Sequence, residues 1–215
     1  MMVRVTAREV KRRYDASGRR AAAHDRRVRI IDAARARFLA EGYHATTIAE
    51  IAADAGVSTE TVYKAFGSRA GLVEAIWTTA LEGEGDRPAE VRSDEGATDA
   101  PTAEALLRHW TRMAVEVSAL AAPVYQLVRT AAVTDPQAAH LLERIDATRA
   151  ERMTHNAAYL VDGGNLRPEL TADQARDILL FATAEMYPAF VDRAGWSPEE
   201  YADLLYRFLR SALLR

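Results

Sequence analysis

Between His24 and Glu41, Val28, Ile31, Ala34 and Phe38 fall at steps of 3, 3 and 4. That is the spacing of one buried helix face, and Gly42 stops the helix at its C-terminal end. Residues 46 to 69 then read TTIAEIAADAGVSTETVYKAFGSR. Ile48, Ile51, Ala52, Ala55, Val57 and Val62 recur at helical spacing and are expected to pack inward. Thr47, Ser58, Thr59, Glu60, Thr61, Tyr63 and Lys64 are left to face outward. Thr47 to Glu50 forms a T-x-x-E capping box for the first of these helices, and Gly56 sits where the chain must turn, with a positive φ expected. The pattern predicts a further helix from about Ser58 to Phe66, ended by Gly67, and a fourth, RAGLVEAIWTTAL, capped by Ser68.

Outside this region the punctuation is equally regular. Residues 1 to 22 are basic, and Ser17 and Gly18 are expected to interrupt any helix there, which makes the segment a mobile arm. Residues 83 to 100 carry Gly, Pro and acids with almost no apolar content and read as a linker or flexible loop. Helical patterns follow from Pro101 to Leu120 and from Pro123 to Val133. The next is capped by Asp135, has Pro136 in its first turn, and runs to about Val161, where Gly163, Gly164 and Asn165 close it. Thr171 and Gln174 open a helix to about Ala194, its hydrogen bonding weakened near Met186 by Pro188, and Ser197, Pro198 and Glu200 open the last. No strand pattern survives. The expectation is an all-α chain of about nine helices: an arm (1–23), a three-helix helix-turn-helix DNA-binding domain (24–82, motif 47–66), a linker (83–100), and a larger helical bundle (101–215).

Charge sharpens this division. Residues 1 to 80 hold 14 Lys or Arg against 9 Asp or Glu, whereas residues 81 to 215 hold 14 against 22. A net +5 front and a net −8 back sum to the chain's −3 and suit a protein that offers one end to a polyanion. Cysteine is absent from the 215 residues, so no disulfide framework or thiolate metal site is available. No apolar run approaches the roughly 20 residues of a membrane span. A soluble cytoplasmic protein with neither metal nor cofactor is expected.

A helix-turn-helix reads DNA by laying the N-terminal residues of its second helix on base edges while the first braces against the backbone. The short side chains of Ser58, Thr59 and Thr61 permit close approach, with Glu60 available to accept from a cytosine amino group. Tyr63 and Lys64 stand one turn further along, where a phenol and an ammonium can hold phosphates, and Thr46 and Thr47 are placed to do the same from the preceding helix. Arg69 adds a cation at the start of the fourth helix. In the arm, Arg19 and Arg20, with Arg4, Arg8, Lys11, Arg12 and Arg13, can follow the backbone or enter a minor groove. A plain helical hairpin would share the Ala-rich, Gly-turned pattern, and a solvated tail would share the basic composition.

The run from Arg26 to Trp77 closely resembles the DNA-binding domain of the TetR family of bacterial transcriptional regulators. The resemblance rests on I-x-x-A-A-x-x-x-F, on G-Y-x-x-T-T-I-x-x-I-A-x-x-A-G-V-S and on T-V-Y-x-x-F followed by a cation after a serine, and it covers about a quarter of the chain. Arg69 stands for the more usual lysine. The resemblance implies phosphate contacts at Thr47 and Tyr63 and base-facing positions from Ser58 to Thr61. It also implies that the rest of the chain is a bundle that binds a small effector and dimerises through its last two helices.

On that implication, Ile178, Phe190, Tyr201, Leu205 and Phe208 are the candidate dimer residues. Trp110, Met113, Tyr125, Arg129, His155, Tyr159, Phe181 and Met186 are the candidate effector contacts, since small-molecule sites combine apolar walls with a few directed polar groups. Each of these side chains is equally at home in a protein core. The functional expectation is a homodimeric repressor released from a double-stranded, inverted-repeat operator by an unidentified small molecule, with the fourth helix as lever. The alternative is an effector-independent activator or architectural DNA binder. An enzyme is disfavoured, because the chain lacks Cys, a glycine-rich phosphate loop and H-E-x-x-H, and its five histidines have no ligand spacing.

Overall fold

In the computed structural model, residues 7–83, 87–184 and 186–215 are described, the side chains of residues 7–17 and 184 excepted. The fold is all-α and divides into two compact units, Met1–Ile76 and Trp77–Arg215.

The first unit contains α1 (Ala7–Glu41), α2 (Ile48–Asp54), α3 (Thr59–Phe66) and the start of α4 (Arg69–Glu82), which continues across the boundary. Ile30, Ile31, Ala34, Phe38, Ile51, Ala52 and Val62 are buried here, and the Phe38 and Tyr43 rings stack with centroids 5.9 Å apart. Two expectations for α1 are corrected. Ser17 and Gly18 do not interrupt it, and the helix begins at Ala7 rather than near His24. A single interior glycine costs only about 1 kcal/mol relative to alanine, and the arginines and alanines beside it are good helix formers. Val28 is exposed, and Ile30 takes its place on the buried stripe, because residues 18 to 29 are exposed throughout. The side chains of residues 4 to 13 in the basic arm lie outside the described residues.

The second unit comprises the end of α4, then α5 (Ala89–Asp99), α6 (Ala103–Ala132), α7 (Pro136–Asp162), α8 (Ala172–Ala184), a π-helical turn (Pro188–Arg193) and α9 (Pro198–Leu213). Much of the stretch expected as a linker is therefore helical. Ala89, Ser93 and Ala97 recur every four residues on the buried face of α5, and small size rather than hydrophobicity is what admits them there. Polar contacts hold this helix. Arg92 donates to Glu116 of α6 from Nη1 at 2.9 Å, and Arg152 of α7 donates to Asp94 at 2.7 Å and Ser93 at 2.8 Å.

Pro123 does not divide α6, which runs unbroken through it. The proline forfeits one backbone bond, offset by its buried neighbours Ala122, Val124 and Tyr125. At Pro188 the chain does deviate, and the turn widens so that Ala194 N–H bonds to Ala189 C=O. The capping boxes at Thr47 and Ser197 both form as the sequence implies.

One apolar cluster fills this unit, with Leu107, Trp110, Leu160, Leu179, Tyr201, Leu205 and Leu209 at its centre. The Tyr201 hydroxyl donates to the Ala182 carbonyl at 3.1 Å, and burial raises its pKa far above the ordinary phenol value. No helix among the described residues is long and apolar enough to cross a membrane.

Candidate nucleic-acid interface

The turn between α2 and α3 is built by backbone bonds. Val57 N–H reaches Ala52 C=O at 2.9 Å and Gly56 N–H reaches Ala53 C=O at 3.1 Å. Gly56 has φ of +65°, the left-handed conformation that a side chain would strain. Ile48, Ile51, Ala52, Ala55 and Val62 are buried as expected, with Val57 half-buried. The exposed face of α3 carries Thr59, Glu60, Tyr63 and Lys64. Positions 59 and 63 lie one turn apart, as do 60 and 64, so the four form a single polar patch. Tyr63 is 54% exposed although most tyrosines hide their ring.

Three of the expected contacts have structural duties. Thr46 is fully buried, and its hydroxyl donates to Gly42 C=O at 2.9 Å, so its side chain has no route to a phosphate. Thr47 caps α2, donating to Glu50 Oε2 at 2.7 Å while accepting from Glu50 N–H at 3.3 Å. Ser58 caps α3 by accepting from Thr61 N–H at 3.2 Å, with the two hydroxyls 2.9 Å apart. Ser58 and Thr47 remain exposed, and Thr61 half-exposed. Arg69 does not project freely beside helix amides. Its guanidinium lies over the Tyr43 ring, 4.9 Å from the centroid, and donates to the Tyr43 carbonyl at 3.2 Å. Arg19 and Arg20 are exposed on α1.

Two residues that the sequence reading did not single out hold this surface. Arg37 of α1 donates from Nε to Asp54 Oδ2 at 2.5 Å and from Nη1 to Glu41 at 3.1 Å, with Glu50 at 3.7 Å. It thereby compensates the carboxylates of α2 that would otherwise repel a polyanion. Hydrogen bonds from Thr47 lower the Glu50 pKa, and the bond from Arg37 lowers that of Asp54. Gly71 stands at the corner of α3 and α4, where a Cβ would collide with the Phe66 carbonyl oxygen. An isolated glycine in a helical pattern is the signal that points to it.

The expected effector residues separate into groups. Trp110, Tyr159 and His155 form a chain of edge-to-face rings, with centroids 6.3 Å and 5.3 Å apart. Trp110 is buried, Tyr159 half-buried and His155 exposed, next to Asp94 at 3.2 Å. Burial raises the Asp94 pKa, but the Arg152 hydrogen bond and the charges of Arg152 and His155 outweigh it and hold the carboxyl below its ordinary value. Tyr125 is buried elsewhere, against Trp77, and donates to Asp146 at 2.7 Å; burial, with that bond, raises its pKa. Arg129 is exposed near the Tyr125 ring, so it places no buried charge that would demand an anion. Met113 lies 3.6 Å from Arg92 Nη1, and Met186 packs half-buried against the core. Phe181 is 55% exposed and so lines no interior site.

Among the dimer candidates, Tyr201 and Leu205 are buried in the chain's own core and cannot form an interface. Ile178 and Phe190 are half-buried and Phe208 exposed. The apolar stripe of α9 reads as one face in the sequence, whereas Tyr201, Leu205 and Leu209 are buried and Leu204 and Phe208 are not.

Residues 30–76 match the model of bacterial regulatory proteins of the tetR family. No curated protein sequence matches the chain. Among solved structures, the chain is similar to FadR of Bacillus subtilis, in complex with stearoyl-CoA, at 18% identity and a TM-score of 0.70, covering 85% of this chain and 96% of that one. It is also similar to NalD, the secondary repressor of the MexAB-OprM multidrug efflux pump in Pseudomonas aeruginosa, at 17% identity and a TM-score of 0.69, covering 89% and 98%. PfmR, a TetR-family transcriptional regulator of Thermus thermophilus, matches at 19% identity and a TM-score of 0.63, covering 87% and 99%. At such identities the likeness is one of fold.

Proposed function

From its membership of the TetR family of bacterial regulatory proteins, carried by its N-terminal domain, we propose that this DNA-binding transcriptional regulator is a homodimeric repressor. It occupies an inverted-repeat operator and leaves it when a small molecule enters the second unit. The observation that carries the DNA contact is the exposed patch of Thr59, Glu60, Tyr63 and Lys64 on α3. The capping box at Thr47 and the Arg37–Asp54 bond hold the two helices beneath that patch. Preorganised side chains lose less entropy on docking, which favours specific over diffuse contact.

Dimerisation is supported by apolar side chains left outside the core on the last helices. Phe181 and Ile178 on α8, with Leu204 and Phe208 on α9, are exposed or half-buried where a monomeric protein gains nothing from aromatic surface. Two copies of such a pair suit a four-helix interface. NalD is a repressor by its description, and FadR was solved with stearoyl-CoA; both support the ligand-released reading for a chain of the same fold. A small molecule that binds one arrangement of the dimer better than another shifts the spacing of the two α3 helices away from the roughly 34–36 Å of successive major grooves. The test is a mobility-shift titration with the inverted repeat nearest this protein's own gene, scored for two chains per duplex. Absence of a shift at low salt overturns the reading.

A further inference from the structure

Trp110 Nε1 and Asn156 Oδ1 are buried with no hydrogen-bond partner among the described residues. Trp110 is 5% exposed and Asn156 6%. Buried polar atoms are nearly always partnered, because leaving one unpaired forfeits its hydration without return. One is a donor in the apolar cluster of the second unit, and the other is an acceptor on the buried face of α7. Trp110 on α6 meets the Tyr159 ring of α7 edge-on, with centroids 6.3 Å apart, and Asn156 stands one turn before Tyr159 on the same helix. Asn156 is flanked by Met153, Ala157 and Leu160, which belong to the cluster that holds Trp110.

We propose that Trp110 and Asn156 are the hydrogen-bonding pair of the effector site, and that the effector is an uncharged molecule bearing a carboxamide or hydroxyl on an apolar or aromatic body. This inference rests on the ligand-released reading. An indole N–H only donates and an amide oxygen only accepts, so the complement must offer one acceptor and one donor. A carboxamide or a hydroxyl does both from a single group. Net charge does not suit the pair. Arg152 and His155, on the turn of α7 before Asn156, both bond to Asp94, and a neutral indole and amide cannot compensate an ion taken out of water. An aromatic body gains further from Trp110 and Tyr159, whose rings already meet in the favoured edge-to-face geometry.

The experiment uses the full chain and three probes of one shape: benzamide, benzoate and benzylamine. Thermal melts are recorded for wild type, Asn156→Leu and Asn156→Ala, each with and without probe at millimolar concentration. Benzamide is expected to raise the wild-type Tm while the two charged analogues leave it unmoved. Without probe, Asn156→Leu is expected to melt higher than wild type by roughly 2–4 °C, the shift expected for about one orphaned group removed from a chain of this size. Both variants are expected to lose the benzamide response. A lower Tm for Asn156→Leu would show that the amide is a satisfied structural group and overturn the proposal. Equal stabilisation by all three probes, or a benzamide response retained in either variant, would overturn it too. Operator binding is measured in parallel. A wild-type protein that ignores the operator but responds to benzamide through Asn156 sinks the regulator reading alone, and one that binds the operator with no Asn156-dependent response sinks the effector assignment alone.

Discussion

Arg37 of α1 and Asp54 of α2 are joined by two parallel hydrogen bonds, Nε to Oδ2 at 2.5 Å and Nη2 to Oδ1 at 3.1 Å. The forked guanidinium matches the carboxylate in a way lysine cannot. Because Glu41 and Glu50 lie within reach of the same cation, one arginine both positions α2 and offsets the acids close to the proposed DNA-binding surface. Arg37→Leu is therefore expected to lower the Tm and to weaken operator affinity together, and Arg37→Lys to restore only part of either. Unchanged affinity in Arg37→Leu would leave the bond with no role in docking.

The same pair gives the domain an acid limit. The folded pKa of Asp54 is below its ordinary value of 3.8, chiefly through the bond from Arg37, and that of Glu50 is below 4.5, chiefly through bonds from Thr47. Groups whose folded pKa is depressed contribute stability that is complete above the unfolded pKa and is lost as pH falls through the folded one. Acid unfolding followed by far-ultraviolet circular dichroism should show stability flat from neutrality down to about pH 5, then falling through the carboxylate range. Asp54→Asn should flatten part of that fall.

Thr46 and Tyr63 separate stability from recognition. Thr46→Val removes the buried bond to Gly42 and is expected to cost about 1 kcal/mol of stability with little change in operator affinity. Tyr63→Ala is expected to leave the Tm almost unchanged and to weaken operator binding by roughly tenfold, the loss of one good phosphate contact and its packing. Chemical denaturation and fluorescence anisotropy on the two variants check this, and the reverse assignment would contradict the proposed DNA contact at Tyr63.

Gly71→Ala should be among the most damaging changes in the first unit. With the Phe66 carbonyl oxygen in the path of the new methyl, backbone must move, at an expected cost of about 1–3 kcal/mol. Hydrogen exchange should show the loss of protection concentrated in α3 and the start of α4.

Phe181 and Tyr201 make the corresponding contrast in the second unit. Phe181→Glu, together with Phe208→Glu, is expected to give a folded monomer by light scattering. Tyr201→Ala is expected to cost about 3–5 kcal/mol, because it empties a fully buried site. A dimer that survives both glutamates would place the interface elsewhere.

The local rules were legible wherever one residue carries its own signal. The boxes at Thr47 and Ser197, the positive φ at Gly56 and the cap at Asp135 follow from side chains that bond within their own turn or from the lack of one. What the pattern missed depends on partners far along the chain. Nothing near Ala89, Ser93 and Ala97 announces a helix, since α5 is held by Glu116 and Arg152. Hydrophobic spacing on α9 could not say which of Tyr201 and Phe208 is buried, because both fall on one broad apolar arc. Thr46 and Thr47 are adjacent and alike in type, yet opposite faces bury one and expose the other.

The most direct test of DNA reading by α3 is an anisotropy titration of the wild-type chain against two duplexes at physiological salt, one carrying the inverted repeat beside its gene and one with that repeat scrambled. Saturation is expected at two chains per repeat, with at least a roughly hundredfold preference over the scrambled duplex and loss of that preference in Tyr63→Ala with Lys64→Ala. Equal binding to both duplexes, or a preference that survives the double substitution, would contradict a repressor that reads its operator through this patch.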